Sequence, residues 1–116
     1  MKHDIKKVSK IADEVLTFCL LHKSDKTCMS VTHEEDGFIV EIEAFNIDVT
    51  DEQVSRIEEY LNVHRQDEVA EYYWQLAGEI DDENELSLVG MMTDDYSLEF
   101  TEHSLKLTLV RKCQKC

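Results

Sequence analysis

Apolar and polar residues alternate in two separate blocks of this chain, and each block is divided by a short polar turn. In the first, residues 27–44, Met29 and Val31 alternate with Cys28, Ser30 and Thr32. Phe38, Val40, Ile42 and Ala44 then alternate with Ile39, Glu41 and Glu43. In the second, residues 96–111, Tyr96, Leu98 and Phe100 are followed by Leu105, Leu107 and Leu109. Period two puts one apolar face on each strand, so each block reads as a β-hairpin. Thr101–Ser104 forms the second turn. In the first, Glu34-Glu35-Asp36-Gly37 is expected to supply positive φ at Asp36-Gly37. Two hairpins with one apolar face each need helices to cover them, and the rest of the sequence supplies these.

Ile5, Val8, Ala12, Val15, Leu16 and Cys19, with Ile11 beside them, recur at steps of three and four and describe a helix over residues 4–22. Leu21–Thr27 (LHKSDKT) interrupts that pattern. Thr50-Asp51-Glu52-Gln53 is a capping box that opens a second helix, with Val54, Ile57 and Leu61 inward. A third helix is expected from Asp67 to Ala77, with Val69, Tyr73, Leu76 and Ala77 inward and Gly78 as its C-terminal cap. The acidic run EIDDENE follows. Leu86–Asp94 (LSLVGMMTD) alternates like a strand and equally suits a buried helix. The order α–β–β–α–α–(α or β)–β–β predicts an α+β two-layer sandwich, a mixed sheet of two hairpins with helices on one face. One domain is expected over residues 1–112, and the end of the chain, RKCQKC, is expected to fray.

Composition narrows function. Proline is absent and glycine occurs only at Gly37, Gly78 and Gly90, so no phosphate-cradling glycine loop exists. The formal charge is −14, which opposes binding to phosphate backbones. Six lysines against four acids give residues 1–26 a charge of +2 and leave −16 on the rest. A basic end and an acidic body favour basic partners or plain solubility. No apolar run reaches the length of a membrane span, and the basic start leads into no signal-like stretch, so a cytoplasmic protein with free thiols is expected.

The order of elements and several phrases resemble the GHKL (histidine-kinase-like ATPase, Bergerat) fold, in the short form of bacterial anti-sigma factors and serine kinases. Glu14, Leu16, Thr17 and His22 are similar to that family's first-helix phrase, and the alternation Phe38–Asp48 to its hairpin. Leu86–Asp94 resembles the helix after its second glycine box, the two closing strands that end in Leu107–Lys112 resemble its last hairpin, and residues 50–77 would occupy its lid region. The resemblance implies that Leu86–Thr93 is helical. It also implies what has been lost. Phe18 stands where the family's Mg²⁺-binding Asn would be, and Ala44 where an Asp would read adenine. Asn46, Asp48, Glu83 and Glu85 stand where glycines would be. A phenyl ring offers Mg²⁺ no oxygen, and carboxylates repel phosphate. The expectation is a fold kept without its ATP chemistry: a non-enzymatic signalling module with no cofactor, neither ATP nor Mg²⁺. It would bind a protein partner of a bacterial pathway and pair as a homodimer, as short members of the family do. The alternative is an ATP-binding serine kinase with divergent motifs.

Other features have two readings each. Cys113 and Cys116 have the spacing of half a zinc site or a redox pair, which gives a second alternative, a small metal or redox protein. Without a second pair of ligands they read as a thiol-bearing tail. Tyr72, Tyr73 and Trp74 span more than half a helical turn, so Tyr72 and Trp74 either face a partner or cover the sheet edge. His22 is a potential general base without a nucleophile, or a helix-end histidine favoured by the dipole.

Overall fold

The computed structural model describes the backbone of residues 2–77 and 85–113, and their side chains except at 2, 73–77 and 85. The order is α1 (Lys2–Leu21), β1 (Lys26–Glu34), β2 (Gly37–Phe45), α2 (Asp51–Leu61), α3 (Asp67–Ala77), α4 (Glu85–Met91), β3 (Asp95–Thr101) and β4 (Ser104–Lys112). Both hairpins form as the alternation predicts, and residues 85–91 are helical. The four strands run in the order β1-β2-β4-β3. Every pairing is antiparallel, so the expected mixed sheet is corrected. Each hairpin is antiparallel because its turn is short. The helices between the hairpins return the chain so that β4 also lies antiparallel to β2, with Ala44 opposite Leu105 and Gly37 opposite Lys112.

Helix α1 packs over β1 and β2, α2 over β3, and α4 contacts α1, α2 and α3. The core between the layers takes Val8, Ile11, Val15 and Cys19 from α1, Val40, Ile42 and Ala44 from β2, and Leu105, Leu107 and Leu109 from β4. Ile57, Leu61, Val89 and Met92 complete it. The other sheet face, with Ser30, Glu41, Lys106 and Ser97, faces solvent.

Several local expectations change. Helix α1 ends in a Schellman motif without glycine: Lys23 takes φ 65°, its N–H donates to Leu20 O at 3.1 Å, and Ser24 N–H donates to Cys19 O at 3.1 Å. The stripe of α1 is rotated from the one expected, with Phe18 buried and Ile5 48% exposed. The capping box forms, with Gln53 N–H donating to Thr50 Oγ1 at 3.1 Å and Thr50 N–H to Gln53 Oε1 at 2.8 Å. Neither Asp36 nor Gly37 takes the left-handed φ expected there. Gly37 is needed for close approach instead, since a Cβ there would collide with the carbonyl oxygen of Arg111. The left-handed hairpin residues are Glu102 and His103, at φ 51° and 64°. Val69 turns outward and Ala70 inward, because Asp67 at the start of α3 faces Arg111. Arg111 and Lys112 belong to β4, and Cys113 N–H donates to Asp36 O at 2.9 Å, so these residues are not a frayed tail. The cap at Gly78, the acidic run from 79 to 84 and Cys116 lie outside the described residues.

Candidate functional site

Four of the six positions at which the resemblance implies a loss, Phe18, Ala44, Asn46 and Asp48, lie with His22 at one end of the molecule. There the C-terminus of α1, the β2–α2 connection and the β3–β4 turn converge. Asp48 N–H donates to His22 O at 2.7 Å and closes the helix end onto the connection. Asn46, at φ 53°, donates its side-chain amide to Asp25 at 2.7 Å. Ile47 N–H donates to His103 O at 2.9 Å. Phe18 is buried and stacks on His22 with ring centroids 4.1 Å apart, and Ala44 is wholly buried in the sheet core. His22 Nδ1 donates to Phe18 O at 2.9 Å, which ties one ring nitrogen to its own helix. That bond supports the helix-end reading of His22 over the general-base one. Glu83 lies outside the described residues, and of Glu85 only the backbone, at the start of α4, is described.

The strongest electrostatic feature was missed in the sequence. Arg111 is 2% exposed on the helix-facing side of β4. Its Nε donates to Asp4 Oδ1 at 3.1 Å and its Nη2 to the same oxygen at 2.8 Å. Nη1 and Nη2 also donate to the two oxygens of Asp67, at 3.1 and 3.0 Å, and Nη1 to Met92 O at 2.8 Å. The five N–H donors of a guanidinium are thereby all used. Asp67 also receives Arg65 through both oxygens at 3.2 Å, and Lys7 lies 3.7 Å away. Arg65 continues to Asp94 at 2.7 Å and to Lys112 O at 2.6 Å. Burial alone would raise the Asp67 carboxyl. Hydrogen bonds from Arg111 and Arg65, with their charges, outweigh it and hold Asp67 well below the usual carboxylate range. A signal for this cluster existed: Leu105, Leu107, Leu109 and Arg111 share one parity. An arginine on the apolar face of a strand demands acidic partners.

Chemistry beyond this cluster is sparse among the described residues. No group of three His, Cys, Asp or Glu side chains converges as a metal site. Cys113 is disulfide-bonded, which corrects the expectation of a free thiol there, and it packs against the core. Cys19 and Cys28 are free. Burial pushes the Cys19 thiol up to about 12, whereas Cys28 is exposed on β1. A shallow depression of about 260 Å³ lies on the open sheet face between Cys28, Glu41, Glu43 and Lys106. On α3, Val69 and Tyr72 are 37% and 59% exposed at helical neighbour spacing, flanked by exposed Glu68 and Glu71. The Trp74 side chain lies outside the described residues.

Comparison with known proteins found no matching family model, no matching curated protein and no matching solved structure. No described helix is long and apolar enough to cross a membrane.

Proposed function

We propose that this chain is a non-enzymatic regulatory module of a bacterial signalling pathway, working in the cytoplasm by binding a protein partner. On this reading its scaffold is an ATPase-type domain whose nucleotide positions have been given over to packing. One observation carries the reading. Phe18 and Ala44, where the resemblance would place the Mg²⁺ ligand and the adenine acceptor, are core side chains at 6% and 0% exposure. The remaining positions at that end, His22, Asn46 and Asp48, hold the chain connections together.

The partner surface in this proposal is the outer face of α3. Val69 and Tyr72 supply an apolar centre, and Glu68 and Glu71 an acidic border, on a chain of formal charge −14. That chemistry fits a segment presenting apolar side chains between lysines or arginines. Calorimetry with Mg·ATP at millimolar nucleotide should show no saturable heat, and micromolar affinity would replace this reading with the serine kinase. Proteins co-purified from the native cells identify the partner. Tyr72→Ala should then weaken that complex about tenfold or more while the melting temperature stays nearly unchanged.

A further inference from the structure

We infer that β1 is the contact of a two-fold dimer in which the sheets of two copies join edge to edge. The resemblance implies a homodimer; where its contact lies follows from β1 itself and does not depend on the partner surface of α3. Strand β1 is nine residues long, lies at the sheet edge and contains neither proline nor a bulge in its pairing. Such an edge is open to another strand unless something blunts it. Glu34 and Gly37 flank a two-residue turn, so they form a hydrogen-bonded pair, as do Thr32, Ser30 and Cys28 with their β2 partners. The backbone groups of Thr27, Met29, Val31 and His33 therefore point away from β2.

The side chains of β1 select the second occupant. An antiparallel pair centred on Ser30 sets those four outward residues against each other, as Thr27 with His33 and Met29 with Val31 of the second copy. On the open face the same register places Lys26 opposite Glu34 of the second copy, at both ends. Shifting the register by two residues either way loses both ion pairs. The other edge, β3, carries Asp95 and Glu99 and no cation, so no register gives it such a match.

The helix layer agrees. Lys7 of α1 reaches Glu71 of α3 at 3.0 Å, which fixes the side of α1 that faces α3. Ile5, Ala12, Leu16 and Leu20 run along the opposite flank, toward β1. Ile5 and Leu20 are 48% and 58% exposed there, and Val31 beneath is 48% exposed. With the β1 edges about 4.8 Å apart, the two α1 helices would flank the two-fold axis on the same side of the joined sheet. The dimer would cover a stripe that the single chain leaves in water.

Sedimentation equilibrium of the full chain, from low micromolar to sub-millimolar concentration at physiological salt, should show a monomer–dimer equilibrium. Lys26→Glu and Glu34→Lys, both at exposed positions, should each weaken it about tenfold, because each sets like charges opposite at both ends. An equimolar mixture of the two variants should restore a heterodimer, since each then supplies the charge that the other lacks. In a Cys28→Ser background, Ser30→Cys should cross-link on mild oxidation, because a non-hydrogen-bonded pair on the two-fold axis brings its Cα atoms within disulfide reach, about 4.5 Å. A monomer at every concentration, a dimer indifferent to both charge reversals, or a dimer that Ser30→Cys does not cross-link would each overturn the inference.

Discussion

Arg111→Met should lower stability by about 3–5 kcal/mol, the range for removing one member of a buried charge cluster. The structure sets where in that range the change falls. The substitution removes five hydrogen bonds at once: two to Asp4, two to Asp67 and one to Met92 O. Asp67 keeps Arg65 at 3.2 Å and Lys7 at 3.7 Å, so its charge stays partly compensated. That argues for the lower half of the range. Methionine nearly matches the volume, so little of the loss comes from a cavity. Urea unfolding should show a lower midpoint at unchanged slope. At about 3–6 °C per kcal/mol for a chain of this size, the melting temperature should fall by about 9 °C or more. Asp4→Ala in the Arg111→Met background should cost less than it does alone, with a coupling of about 1 kcal/mol or more in the double-mutant cycle. A loss under about 1 kcal/mol with no coupling would place the cluster among ordinary surface ion pairs and refute the reasoning.

Gly90→Ala should destabilise by about 1–3 kcal/mol in thermal or urea unfolding, although alanine is the better helix former. The added Cβ would collide with Tyr60 O and lie 3.0 Å from the Cα of Leu61. The folded Asp67 carboxyl lies below its unfolded value, so its contribution is complete above about pH 5 and lost as pH falls through the folded value. The stability difference between wild type and Asp67→Asn, followed by unfolding titrations, should therefore be flat near neutrality and shrink in acid. Under native conditions at neutral pH, a thiol reagent followed by mass spectrometry should modify Cys28 and spare Cys19, whose thiol is buried and pushed up to about 12.

The strands were legible because period-two alternation on β2 and β4 corresponds directly to two faces, and Phe38, Val40, Ile42 and Leu105, Leu107, Leu109 are buried as read. The capping box at Thr50 was legible because its two hydrogen bonds are local. Strand direction was not, since nothing within either hairpin states how β2 meets β4. The rotation of α3 was hidden for a related reason. Apolar spacing turned Val69 inward, but Asp67 is drawn to Arg111 and Arg65, and charge overrode that spacing. Of the positions taken from the resemblance, Phe18, His22, Ala44, Asn46 and Asp48 do come together. The sequence could not say that two of them would be core and the others structural links.

The placement of α3 joins stability to the proposed contacts. At its N-terminus the helix is held by Asp67, which Arg111 and Arg65 bind from below and beside. Ala70 provides its described buried apolar contact, a small one. A helix anchored by charge at one end does not need to turn every apolar side chain inward. Val69 and Tyr72 are therefore left on the solvent side without loss of the fold. The same cluster binds Asp4 of α1, so α1 and α3 share one arginine as their fixed point. On α1 this turns Ile5 and Leu20 toward the β1 edge. On α3 it turns Val69 and Tyr72 toward the outside. One buried guanidinium thus sets the orientation of both apolar surfaces proposed for contact. A variant that weakens Arg111 without unfolding the chain should disturb the α3 contact and the β1 dimer together, whereas Tyr72→Ala and Lys26→Glu should each disturb only its own.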